Sequence, residues 1–421
     1  MTRYIPLDLL RGLAIFGMIF SAIIPYGDLP AWMYHIQNPP PTHQLDISVA
    51  GIGWVDFVFP LFIFCMGVSI PLAGRRRIES LRGSVAPDSK SITIRYVIGV
   101  VERFAMLWLF SYLYLFVNYS QDHGWQSYLA TIIGFVLLFV VYYVFPKESK
   151  LLKYKNKIRM YGWVGILTLI VYGYLRFNEE ISINRSGIII FLLAFLYLFG
   201  SLIWYFTRDN NRDRLIAFIG VLLFAAATMP FGLQAKLYAI EEIRWFFNME
   251  YIYFLLILIP ATYIGDILQQ QEQSTQKRKT NNVFLNCKRE IILSVVSIIA
   301  GFGAMIIEGG VTKVPCTVSY CLITLGVSIL LLLLADRVIC GSKNSYVVRI
   351  FAGAGANPLM SYIAFGSFIM PLMKLTGFIY IYDMLYPTGH PWIGALRAFV
   401  FVLLTLALVA KMSENKIFWR A

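Results

Sequence analysis

Apolar runs of about 20 residues, long enough to cross a bilayer, are separated by short polar stretches along the whole chain. They fall at residues 6–25, 53–73, 94–117, 126–145, 161–176, 187–206, 214–230, 250–268, 290–307, 316–336, 352–373 and 393–411. None alternates with the two-residue period of a barrel strand. Within lipid a helix satisfies all of its own backbone hydrogen bonds, so runs of this kind read as helices. The pattern predicts an all-α polytopic integral membrane protein, a bundle of about 11–12 transmembrane helices forming a single domain over residues 1–421. The first run carries Asp8 and Arg11 and lacks a small-residue cleavage site, so it reads as a retained span rather than a signal peptide. The run at 161–176 is short and suits a tilted or interfacial helix.

Composition agrees. Of 421 residues, 58% are hydrophobic and 14% charged, against about 25% charged in soluble domains; the mean hydropathy is +0.68. The net charge of +13 would suit nucleic acid were it not for its distribution. Of 36 Lys and Arg, 27 fall at the two termini and in loops 74–95, 146–160, 207–214, 269–289 and 337–350. Six fall in the alternate loops, and Arg11, Arg103 and Arg397 lie inside spans or at their edges. This asymmetry predicts cytoplasmic termini, and for a bacterial chain the inner membrane. Residues 26–52 hold no Lys or Arg and form an outer loop. The five cysteines form no CxxC pair. Cys316 and Cys321, taken as two positions five apart on one helix, would point in different directions, so no disulfide is expected.

Ionisable groups inside a membrane are costly and mark functional positions. Asp8 and Arg11 (LDLLRG) are three apart and can pair on one helix face. Asp56 (GWVDFVFP) sits just inside the outer end of the second run. Glu102 and Arg103 are neighbours, so they face different partners. Asp266 ends the eighth run, Glu308 opens an outer loop, and Asn357 precedes Pro358 in a kink-forming pair. His35 and His43 frame the Pro39–Pro41 run in the outer loop. Proline stiffens a loop, and a stiff loop holding an imidazole near Asp56 is a general-base arrangement. His123 and His390 also fall on the outer side, but the histidine spacing matches no metal motif, so no metal is expected. Trp32, Tyr34, Trp125, Trp245 and Trp392 are outer aromatics, suited to an interfacial belt or to stacking on sugars.

Taken together, LDLLRGLAIFGMIF, a short outer loop with histidine, and GIGWVDFVFPLFIFCMG resemble the heparan-α-glucosaminide N-acetyltransferase family. The chain is most similar to bacterial relatives, some of them labelled N-acetylglucosamine-related transporters. ERFAMLWLF, IEGGVTKVPCTVSY and AGANPLMSYI extend the resemblance to about residue 375. It implies acetyl transfer from cytoplasmic acetyl-CoA to an amino sugar or glycan on the outer side, with a loop histidine as base or acetyl carrier. The family's histidine maps onto His43, or onto His35 when counted forward from Arg11; the position five before Gly51 is Asp46. Asp8, Arg11, Arg103, Glu308 and Asn357 are the remaining candidates for substrate or CoA binding, and Arg75–Arg77 for attracting CoA phosphates. A homodimer is compatible with the sequence, nucleic acid is not a partner, and the rival readings are a sugar transporter and a scaffold subunit.

Overall fold

A computed structural model of the chain describes residues 4–84, 89–119, 124–146, 148–182, 185–228, 240, 250–275, 287–342, 345–387 and 389–419. His123, Trp245, Lys236, Arg244 and the cluster Lys277, Arg278 and Lys279 lie outside these residues. The helices are α1 (Ile5–Ile23), α2 (Trp54–Ser84), α3 (Ser89–Phe116), α4 (Trp125–Tyr142), α5 (Lys155–Phe177), α6 (Ile188–Thr207) and α7 (Asn211–Thr228). They continue with α8 (Glu250–Thr275), α9 (Lys288–Glu308), α10 (Val318–Ser342) and α11 (Tyr346–Gly355). The last are α12 (Pro358–Thr376), α13 (Phe378–Met384) and α14 (Pro391–Glu414). Among the described residues, 11 helices are long and apolar enough to cross a membrane, and the only β pairing recorded is an isolated bridge between Tyr143 and Trp419.

Three expectations change. The run at 161–176 belongs to a 23-residue helix, α5, because its polar first turns from Lys155 are helical too. The segment 74–84, expected as loop, continues α2, whose 31 residues reach roughly 46 Å and outrun the hydrocarbon layer. The run 352–373 is broken: α11 ends at Gly355 and α12 begins at Pro358. Pro358 has no N–H and pushes the preceding residue out of the helical region, and Asn357 accordingly sits at φ −129°, ψ 60°. Farther on, α12 widens into a π-turn at Phe365–Ile369. The run 214–230 appears as α7, which lies outside the set of 11 because its first turn holds Arg212, Asp213 and Arg214.

The chain divides into two compact units: Met1–Pro30, Leu107–Phe191 and Ser342–Ala421 in the first, Ala31–Met106 and Leu192–Gly341 in the second. In the first, α1 and α11 meet backbone to backbone. A Cβ on Gly12 would lie 2.0 Å from the Phe351 carbonyl oxygen, and one on Gly355 would lie 1.9 Å from that of Asp8. Small residues that let helices approach this closely are a main source of helix association in lipid. Gly355→Ala is therefore expected to destabilise the protein by about 1–3 kcal/mol, since a carbonyl cannot swing aside like a side chain. Gly366→Ala on α12, where a Cβ meets open space, serves as the control in thermal unfolding of the detergent-purified protein. In the second unit, α2 packs on α8 by the same device: Gly67 faces Ala261 and Leu258, and Gly265 faces the Val68 carbonyl.

Candidate functional site

Asp56 is the third residue of α2, where a carboxylate faces free N–H groups and the positive end of the helix dipole. Its Oδ2 accepts from the Gly53 and Ile36 N–H groups, each at 3.2 Å. Its Oδ1 is left for a side chain, and His35 Nδ1 takes it at 2.6 Å. Tyr320 on α10 donates its hydroxyl to the Asp56 carbonyl at 2.6 Å. Lys313 completes the cluster, with Nζ 3.4 Å from His35 Nδ1 and 3.9 Å from Asp56 Oδ1. The Asp56 side chain is 3% exposed and that of His35 41%. The carboxylate is thus enclosed by the imidazole it orients, while the ring keeps an open side. With Nδ1–H donated to Asp56, the lone pair falls on Nε2, which takes no hydrogen bond among the described residues.

The loop carrying His35 is tied to the Thr312–Thr317 turn by Gln37. Its Nε2 donates to the Val314 carbonyl at 2.6 Å, and its Oε1 accepts from the N–H groups of Val314 (2.9 Å) and Lys313 (3.2 Å). Gly51 N–H adds a 2.7 Å bond to the Val311 carbonyl. Three short-range elements thus converge on one point: the loop, the first turn of α2 and the turn before α10.

The structure places His43 elsewhere. Its backbone adopts φ +50°, a region where histidine is several-fold enriched among non-glycine residues. Its N–H bonds to the Pro39 carbonyl, its own carbonyl accepts from Asn38, and its ring packs edge-on against Tyr34 at 4.5 Å, buried. Asp46 closes its own turn, accepting from the Ser48 N–H (2.9 Å) and hydroxyl (2.5 Å), and these bonds hold its carboxyl below the usual carboxylate range.

The other sequence candidates have partners of their own. Glu308 accepts from the N–H groups of Val318 (2.8 Å) and Ser319 (3.0 Å), so it caps α10, the helix that carries Tyr320. Glu308→Ala should therefore cost about 0.5–2 kcal/mol, read as a lower unfolding temperature, with Glu308→Gln retaining part of it. Arg103, exposed on α3, lies over the Tyr197 ring of α6 at 4.7 Å, a cation–π contact between helices. In the first unit Arg11 pairs with Asp8 at 2.9 Å, as their spacing predicts, and also donates to the Gly355 carbonyl at 3.1 Å, satisfying the end of α11. Asn357 spends its amide on the backbone after α14, donating to the Ile417 carbonyl and accepting from the Trp419 N–H, both at 3.1 Å. Cys316 precedes α10 instead of riding on it, so the Cys316 and Cys321 sulfurs come within 3.6 Å as free thiols; the expectation of divergent directions fails for that reason. No group of three or more His, Cys, Asp or Glu converges among the described residues.

Gln37, Lys313 and Tyr320 escaped the sequence reading. Lys313 was visible as one of the six cations expected on the outer side and lies in IEGGVTKVPCTVSY; only tertiary contact pairs it with His35.

These elements define an all-α polytopic membrane protein with a His–Asp–Lys cluster where a loop enters a span. The family model described as a domain of unknown function (DUF5009) matches residues 3–268, and the chain belongs to that family. No curated protein matches it.

Proposed function

We propose that the protein is a membrane acetyltransferase, moving the acetyl group of cytoplasmic acetyl-CoA to an amino sugar or glycan on the opposite side. The observation that carries this reading is the His35–Asp56 pair, an imidazole oriented by a buried carboxylate beside a lysine. The proposed topology follows the positive charges: with α7 counted as a twelfth span the chain returns to the side where it began, and residues 26–52 face outward.

In the proposed step the neutral sugar amine attacks the thioester carbonyl. His35 Nε2 takes the amine proton as the C–N bond forms. Collapse of the tetrahedral intermediate breaks the C–S bond, and the CoA thiolate leaves with that proton. Lys313, beside His35 Nδ1 and Asp56 Oδ1, supports the reading by favouring the ionised Asp56 that orients the ring. A covalent acetyl-imidazole at Nε2 serves the same outcome in two steps.

Sugar transport is the second reading, favoured by the break between α11 and α12, since broken helices line many transport sites. Nanodisc-reconstituted protein given radiolabelled acetyl-CoA and glucosamine separates them. Label appearing in the sugar supports transfer; none in sugar or protein, with sugar uptake into proteoliposomes, replaces it with transport.

A further inference from the structure

The second unit holds another polar centre, at the end of α2 away from Asp56. Asp266 of α8 is buried and receives two guanidinium groups. Arg75 of α2 donates Nε (3.1 Å) and Nη2 (2.8 Å) to Oδ1; Arg214 of α7 donates Nη1 (2.8 Å) to Oδ2, where Trp204 Nε1 adds a 3.2 Å bond. One carboxylate therefore answers two arginines. The Arg214 side chain is 4% exposed, unlike the solvated anchors that end most spans, which extend toward water. The remaining contacts of Arg214 are long, 3.4 and 3.5 Å to Thr207.

More positive charge stands beside it. Arg77 donates to the Gly99 carbonyl of α3. Arg208 lies 4.1 Å over the Tyr205 ring, which stacks on Tyr96 at 4.3 Å, with Trp204 packed alongside. Among the described residues, Arg75 and Arg214 pair with Asp266, and Arg208 with Asp209, 81% exposed, at 3.4 Å; farther along α8, Gln271 donates to the buried Glu290. Asp266 shares its single charge between Arg75 and the buried Arg214, so this pair of guanidiniums keeps a net positive charge, and a buried charge is costly unless paired. One turn along α8 from Asp266, on the same face, Gln269 is 2% exposed and neither polar atom of its amide has a partner among the described residues. A folded chain leaves few buried amides unsatisfied, so this one points to a missing polar ligand.

We propose that this centre binds a phosphate group. Arg75 gives its Nε and Nη2 to Asp266 and keeps Nη1 for a phosphate oxygen, Arg214 can exchange its long contacts to Thr207 for another, and Gln269 adds an amide donor. The aromatic shelf of Tyr96, Trp204 and Tyr205 flanks it. Two sources carry this chemistry: the nucleotide end of CoA, which rests on the acetyl-transfer reading, and the headgroup of an anionic phospholipid, which does not.

The test uses full-length protein in phosphatidylcholine nanodiscs, as wild type, Arg75→Gln, Arg214→Gln and Arg82→Gln. One arm titrates CoA by calorimetry; the other replaces part of the lipid with phosphatidylglycerol and follows thermal stabilisation. Arg75→Gln leaves Asp266 paired with Arg214 and should stay folded even if Arg214→Gln does not. Arg82, exposed on the same helix, controls for diffuse charge. The expected result is saturable binding in at least one arm, weakened tenfold or more by Arg75→Gln and changed less than twofold by Arg82→Gln. CoA binding identifies the nucleotide source, and stabilisation by phosphatidylglycerol alone identifies the lipid. Binding in neither arm, or equal loss in Arg75→Gln and Arg82→Gln, overturns the proposal. Intact, Arg75-dependent binding without acetyl transfer would refute only the acetyltransferase reading.

Discussion

His35→Ala is expected to lower acetyl transfer by about 10²–10⁴-fold, the range a positioned general base supplies, while His43→Ala stays within about tenfold of wild type. The difference follows from position. His35 Nδ1 is held at 2.6 Å by Asp56 and its side chain is 41% exposed; the His43 ring is packed against Tyr34 and shapes the loop. Asp56→Asn should fall close to His35→Ala, because an amide in place of the carboxylate no longer selects the tautomer that leaves Nε2 free to accept. It also retains a hydrogen-bonding group for Gly53 and Ile36, so folding is disturbed less than by alanine. Initial rates with radiolabelled acetyl-CoA, normalised to monodisperse protein, decide the matter. Full activity in His35→Ala with loss in His43→Ala would move the base to His43.

Trp419→Ala is expected to cost about 3–5 kcal/mol of stability, as large-to-small changes of buried aromatics do. Trp419 is 1% exposed and stands among Phe110, Phe135 and Phe139, with ring centroids 5.2–6.0 Å away. Its backbone N–H donates to Asn357 Oδ1, and its backbone also bridges to Tyr143. The segment after α14 thus fastens α4, α12 and α14 of the first unit together. Truncation empties a space beside a cavity of about 470 Å³ that Phe135, Phe139, Met360 and Lys411 help to line. Thermal unfolding in detergent measures the loss, and Trp419→Phe should recover part of it. Combined with Asn357→Ala the effects should be less than additive: alanine keeps the backbone N–H, but the ring packing and the Asn357 bonds that are lost hold the same segment in place. An unchanged melting temperature in Trp419→Ala would mean that the segment is not fastened in this way.

Much of the architecture was legible because lipid imposes a severe rule on sequence. A span must be apolar for about 20 residues, so α1, α3, α4, α6 and α10 announce themselves. Asn357 and Pro358 marked a kink in AGANPLMSYI, but hydropathy, which does not register a lost hydrogen bond, carried one span through what is a full break. The end of α2 was read as loop because its arginines are polar, although polar residues are good helix formers once a helix is under way. Asp56 was visible as a charge where charge is expensive, and the two histidines as imidazoles framing a stiff proline run. Which histidine meets Asp56 was not, since Pro39–Pro41 and the turns around them decide where each ring lands.

By itself, the sequence determined the class of protein, the approximate positions of its spans and the residues too costly to be there by accident, because each follows from the transfer of groups out of water, a property of short segments. Only the tertiary structure decided the partners. His35, Asp56 and Lys313 are joined across 278 positions of chain, Arg75 reaches Asp266 across 191, and Asn357 holds a backbone 62 residues away. Such pairs are selected by the packing of whole helices, by glycine contacts that set their separation, and by the need to satisfy each buried charge with the nearest group the fold brings to it.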